Sequence, residues 1–134
     1  MKKKFSVDET YKFIINGLFA TLVHFLVLLI LSSFSPLNYG VSNFIGYIFG
    51  SISSFLGNKF FVFKDSNNAH AFTQVIKFIF LYLFLAINSG FALYIWTDIN
   101  KYNFVIGFLG ITALNTIISF MVNKFLIYNP THEK

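Results

Sequence analysis

Cysteine is missing from all 134 residues, which removes disulfide frameworks, thiolate metal sites and cysteine nucleophiles and leaves the redox compartment unmarked. Arginine is missing too. The ten basic residues are all lysines, so the formal charge of +5 rests on ammonium groups whose positions matter more than their sum. Acids are scarce: Asp8, Glu9, Asp65, Asp98 and Glu133 are dispersed over tails and connectors. No paired carboxylates, metal-ligand spacing, catalytic triad or glycine-rich phosphate loop can be assembled from them. The expectation is a chain that is not an enzyme, with no cofactor, no metal and no nucleic-acid partner. The lack of Asp or Glu inside the apolar runs also argues against a small proton-coupled antiporter, which needs an ionisable group within the membrane.

What is present is hydrocarbon. Apolar residues make up 56%, aromatics 21% and charged residues only 11%, with a mean hydropathy of +0.68. A soluble domain needs charged outer faces that this chain does not have. Uncharged runs of roughly 20 residues recur instead, each long enough for a bilayer core of about 30 Å. The run from Phe13 is too long for a signal core and leads into further apolar segments, so it is read as a span and not as a cleaved leader.

The expected fold is an all-α integral membrane protein with four transmembrane helices. A basic tail, 1–12, precedes a first hairpin at 13–63 with spans at about 13–33 and 40–60. The connector Ser35-Pro36-Leu37-Asn38-Tyr39-Gly40 supplies its turn. A polar linker at 64–75 leads to a second hairpin at 76–128, with spans at about 76–96 and 104–126, and a short tail at 129–134.

The two hairpins read as a duplication. Ser54-Phe55-Leu56-Gly57-Asn58-Lys59-Phe60-Phe61-Val62-Phe63 returns 65 residues later as Ser119-Phe120-Met121-Val122-Asn123-Lys124-Phe125-Leu126-Ile127-Tyr128, with five of ten pairs identical. At the same offset Lys12-Phe13-Ile14 answers Lys77-Phe78-Ile79. Two spans per half make the repeats parallel in topology, related by an axis along the membrane normal. Nine of the ten lysines fall on one side of this arrangement and only Lys101 on the other. Basic residues favour the cytoplasmic side, so both termini are expected there, in the inner (cytoplasmic) membrane.

Candidate functional residues come in two groups. Small and polar residues at four-residue spacing mark one face of the second span, namely Ser42, Gly46, Gly50, Ser54 and Asn58, and the fourth span answers with Gly107, Asn115, Ser119 and Asn123. Asn16, Gly17, Thr21 and His24 mark the first span, and Asn88 the third. Such seams let helices approach closely and bond across the contact; the alternative is a path for a polar headgroup, and both readings stay open. The second group is Lys59 and Lys124, joined by Lys12 and Lys77 at the facing span ends. They serve either as interfacial anchors or, with Asn58 and Asn123, as ligands for an anionic lipid phosphate.

Lys12-Phe13-Ile14 followed by Gly17 and Thr21, with the Asn-Lys-Phe endings of the second and fourth spans, resembles the GtrA family of small four-span membrane proteins, including the membrane part of polyprenyl-phosphate mannose synthase-type enzymes, from about Tyr11 to Tyr128. The chain departs from that pattern in having lysine where arginine is common, and in His24 and Tyr128. The resemblance implies a role in cell-surface polysaccharide synthesis, such as O-antigen or teichoic acid glycosylation. The chain would flip a polyprenyl-phosphate-linked sugar, for example undecaprenyl phosphate glucose, to the outer leaflet. It would work as a homo-oligomer alongside glycosyltransferases of the pathway. The alternative is a non-transporting adaptor that anchors such a transferase.

Overall fold

A computed structural model describes residues 7–62 and 71–127. The basic tail at Lys2, Lys3 and Lys4, most of the linker with Lys64 and His70, the aromatics Phe63 and Tyr128, and the C-terminal tail lie outside them.

Every element of the described chain is helical: α1 (Val7–Phe34), α2 (Tyr39–Gly57), α3 (Ala71–Leu93) and α4 (Phe104–Val122). α2 and α4 each run on into a π-helical turn, Asn58–Val62 and Asn123–Ile127, and α3 into a longer π segment, Tyr94–Ile99. Local chemistry sets the starts. Asp8 and Glu9 sit in the first turn of α1, where carboxylates complement the helix dipole. The Asn38 side chain accepts from Val41 N (2.8 Å) and Asn103 Oδ1 from Val105 N (2.9 Å), each capping the helix it precedes.

Among the described residues three stretches are long and apolar enough to cross a membrane, Val7–Phe34, Phe72–Ile99 and Phe104–Leu126. The fourth helix, α2, is the exception to the four expected spans. Its Ser42, Asn43, Gly46, Gly50, Ser51 and Ser54 are buried, so its polarity is turned inward between α1 and α3, both of which pack along it. α3 also packs on α4, whereas α4 only grazes α1. Large apolar side chains such as Leu18, Phe19, Phe80, Phe84, Leu114 and Ile117 face outward; in water they would form an unfavourable patch, and lipid removes the cost.

The duplication has a three-dimensional counterpart. Phe13 of α1 meets Phe120 of α4 edge-on at 4.8 Å and 64°, and Phe78 of α3 meets Phe55 of α2 at 4.7 Å and 63°. These four residues are two pairs related by the 65-residue offset. The symmetry breaks nearer the other end. A Cβ on Gly40 would lie 2.6 Å from Tyr94 Cβ and 3.0 Å from the Gly90 carbonyl, so α2 and α3 touch almost backbone to backbone there. One repeat away stand Val105 and Phe25, and Phe25 instead props α1 from α4 by stacking on Phe104 and tilting against Phe108.

The inner glycines give a direct test of this packing. A Cβ at Gly46 would meet the His24 carbonyl at 2.8 Å, and one at Gly50 the Ala20 carbonyl at 2.9 Å. Gly110, by contrast, has nothing within 4 Å. Gly50→Leu is therefore expected to destabilise the fold by about 3 kcal/mol or more, while Gly110→Ala gains about 0.5–1 kcal/mol of helix propensity. Thermal melts of the detergent-solubilised variants, followed by circular dichroism, measure both; equal melting of the two would contradict the packing described.

Candidate functional site

Between α1 and α4, where the helices separate, a cleft of about 60 Å³ opens. Its walls come from α1 (Phe13, Gly17, Ala20, Thr21, His24) and α4 (Thr112, Asn115, Thr116, Ser119), and its floor from α2 (Tyr47, Gly50, Ser51, Ser54) with Tyr82 of α3. The floor and one wall are repeat mates: Tyr47 and Thr112, Gly50 and Asn115, Ser51 and Thr116, Ser54 and Ser119 all differ by 65. Gly17 and Tyr82 complete the series. The two halves thus turn corresponding residues towards one shared space. Phe13 of the lining meets Phe120, and His24 of the lining meets Phe108.

Beneath the cleft, two buried amides fasten the helix ends. Asn58 and Asn123 are both 0% exposed. Asn16 Nδ2 donates to Asn58 Oδ1 and to the Ser54 carbonyl, each at 3.0 Å. In the second half Asn123 Nδ2 donates to the Tyr82 hydroxyl at 2.9 Å and to the Ser119 carbonyl at 2.7 Å. The Tyr82 hydroxyl is also within bonding reach of the Ser54 and Ser119 side chains. Each π turn therefore begins at an asparagine held by the first helix of its own half. Both amides are enclosed in the bundle, directly before Lys59 and Lys124.

Deeper in the bundle, His24 Nε2 and Asn43 Oδ1 are 2.7 Å apart, and Asn43 Nδ2 donates to Ser89 Oγ at 2.8 Å. The amide nitrogen is thereby engaged with Ser89, leaving Oδ1 to accept, so Nε2 carries the imidazole proton and Nδ1 a lone pair. His24 is buried edge-on against Tyr47 and Phe108. The tie joins α1, α2 and α3.

Four lysines gather at one end of the bundle. Lys12 Nζ lies 2.9 Å from Asp8 and 5.8 Å from the Phe61 ring centre. Lys77 Nζ donates to the Leu126 carbonyl at 3.2 Å. Lys124 is partly buried, over the Phe120 and Phe125 rings and close enough to Glu9 for electrostatic attraction. Lys59 is likewise partly buried at the start of the first π turn. By position Lys12 and Lys124 adjoin the Phe13–Phe120 end of the cleft, while Lys59 and Lys77 belong to the α2 and α3 side.

The remaining candidates scatter. Gly17 faces open space in the cleft, and Thr21 lines it. Ser42 is fully buried, and its hydroxyl has no partner among the described residues. Gly107 lies against the Trp96 indole, away from the cleft. Asn88 is exposed and donates within α3 to the Phe84 carbonyl at 2.8 Å. Other contributors went unnoticed in the sequence. Asn43, Tyr82, Ser51, Thr112 and Thr116 carry much of the polar interior, and the repeat offset applied to Ser51 leads to Thr116. Asp98, read as a loop acid, accepts from Tyr39 N (3.3 Å) and Gly40 N (3.0 Å), capping α2 from the far half.

The family model of the GtrA/DPMS transmembrane domain matches residues 12–128. The chain belongs to this family. No curated protein and no solved structure matches it. The GtrA/DPMS domain is a small membrane domain, not typically catalytic, and its membership connects the chain with the handling of polyprenyl-phosphate sugars. For a GtrA/DPMS domain the cleft is the notable element, a mainly apolar surface set with a few hydroxyl and amide side chains and reached from the gap between α1 and α4.

Proposed function

We propose that this chain flips a polyprenyl-phosphate-linked sugar from the cytoplasmic to the outer leaflet of the cytoplasmic membrane. The hairpins 13–63 and 76–128 form one unit, α2 completes four spans, and both termini and the lysine-rich end face the cytoplasm. The observation that carries this reading is the cleft between α1 and α4, with Thr21, Ser54, Asn115, Thr116 and Ser119 in its lining. A sugar crossing hydrocarbon needs hydrogen bonds for its hydroxyls. The lipid tail stays in the bilayer beside α1 and α4, and the phosphate pairs with Lys124 and Lys12, with Lys59 and Lys77 as their counterparts on the other half. Asn58 and Asn123 shape the turns from which Lys59 and Lys124 project. Transfer runs downhill, drawn by consumption of the sugar outside. A cleft of about 60 Å³ takes only part of a sugar, so a second copy of the chain, or a widening of the gap, completes the passage. Glycosyltransferases of the same cell-surface polysaccharide pathway are its functional partners.

The test places purified protein in liposomes with polyprenyl phosphate glucose in one leaflet and follows its arrival in the other with a leaflet-selective sugar-oxidising reagent. Transfer faster than in protein-free vesicles is expected. No acceleration by folded protein would overturn the reading and leave the role of transferase adaptor.

A further inference from the structure

We propose that a second copy of this chain seats on the outward face of α3, with Asn88 of each copy paired to Asn88 of the other. α3 and its π segment make up the apolar stretch Phe72–Ile99. At about 1.5 Å per residue Asn88 stands about 24 Å from the start of that stretch and about 16 Å from its end, which sets it deep in hydrocarbon. It is nonetheless exposed. One amide N–H donates to the Phe84 carbonyl at 2.8 Å, and the second N–H and Oδ1 have no partner among the described residues. Lipid tails offer neither donor nor acceptor, so an amide held there with most of its bonding capacity unmet is costly. A protein amide at the same depth removes that cost.

The group itself favours a second copy as that partner. An amide donates through nitrogen and accepts through oxygen, so two of them facing each other form a reciprocal pair. Copies inserted in one orientation are related by a two-fold axis along the membrane normal, and such an axis brings a residue opposite itself at equal depth. A different protein would need a matching polar group at the same level. The flanking residues fit as well. Leu81, Phe84, Asn88 and Phe91 follow one another at steps of three, four and three, the spacing of a helix seam with a single polar position that fixes register. Phe84 and Phe91 are 63% and 65% exposed, so their rings are free to interdigitate with those of a neighbour.

The first half gives the contrast. One repeat earlier Phe19, Val23 and Leu26 hold the equivalent places on α1, and Phe19 and Leu26 are exposed too. Lipid alone suits those three side chains. Only α3 interrupts the face with an amide. Tyr82, which lines the cleft, lies about 120° around the helix from Asn88, so the seam and the cleft occupy different sides of α3 and each copy keeps a cleft of its own.

Resonance energy transfer between copies carrying a donor or an acceptor fluorophore at the carboxyl terminus, in liposomes diluted stepwise with lipid, measures the pairing. The wild type is expected to associate. Asn88→Val, which installs the residue of the equivalent α1 position, should raise the dissociation constant about threefold to thirtyfold, and Asn88→Gln should retain most of the association. Both variants should keep the helix content of the wild type by circular dichroism. In the cysteine-free chain, Phe91→Cys is expected to form a disulfide-linked dimer on mild oxidation, and Leu26→Cys is not. No energy transfer in the wild type leaves the amide to a different membrane protein and overturns the pairing. Association unchanged by Asn88→Val, or equal cross-linking at the two positions, overturns it as well. If Asn88→Val slows transfer of the sugar lipid without altering association, α3 meets a headgroup and not a second copy. Association is read without substrate, so the interface stands or falls separately from the transport reading.

Discussion

Cross-linking Phe13→Cys to Phe120→Cys with a short bifunctional thiol reagent will reduce transfer of the sugar lipid to the protein-free rate, while the same reaction between Phe55→Cys and Phe78→Cys will leave it close to that of the unlinked protein. The chain has no cysteine of its own, so both pairs can be introduced without background. The two aromatic contacts are nearly the same in geometry, with ring centres at 4.8 and 4.7 Å, and they differ in what lies behind them. Phe55 and Phe78 join helices that also meet at Gly40 and Gly90, a close backbone approach with no space to open. Phe13 and Phe120 join α1 to α4, which touch little elsewhere and enclose a cleft too small for a sugar. Passage by widening of the gap therefore requires this seam to part. Undiminished transfer with the Phe13 and Phe120 positions linked would rule out the α1–α4 gap as the route.

The second large effect concerns charge. Replacing Lys59 and Lys124 together by glutamine is expected to abolish surface glycosylation in cells while the protein remains inserted and folded. The single variants separate the two sites. Lys124 adjoins the Phe13–Phe120 end of the cleft, over the Phe120 ring, whereas Lys59 stands on the turn that ends α2, so Lys124→Gln should reduce liposome transfer about tenfold or more, the scale of one charge-assisted contact to phosphate. Lys59→Gln should cost markedly less. Partial burial keeps the Lys124 ammonium from full hydration, which raises the value of an anionic partner there. Normal glycosylation in the double variant would leave the lysines as interfacial anchors, and equal loss in the two singles would argue for a route that treats the halves alike.

Much of the interior could be read from residue spacing. Gly46, Gly50 and Ser54 at intervals of four fall on the buried side of α2 as a small-residue seam should, since helical periodicity alone assigns them to one face. Asn16 and His24 are buried on the same side of α1 by the same logic. Spacing did not reveal that Asn88 bonds its own helix or that Gly107 packs on Trp96, because periodicity fixes a residue's angular position and not its neighbour. The same four-residue spacing carries Asn58 and Asn123 onto the enclosed face, while the lysines beside them are only partly buried. The π turns begin at these asparagines, and their side-chain hydrogen bonds to Asn16 and Tyr82 are visible only in the three-dimensional packing.

The sequence by itself determined that this is a helical membrane chain of the GtrA/DPMS family with a 65-residue repeat, because hydropathy, the lengths of the apolar runs and a recurring motif are properties of linear order. Tertiary structure decided which copy of each repeated position does what. Gly40 and Gly90 draw α2 against α3, while Phe25, the equivalent of Gly90, stands between α1 and α4 against Phe104 and Phe108, and that difference in side-chain volume between two otherwise matching interfaces leaves room for the cleft between α1 and α4.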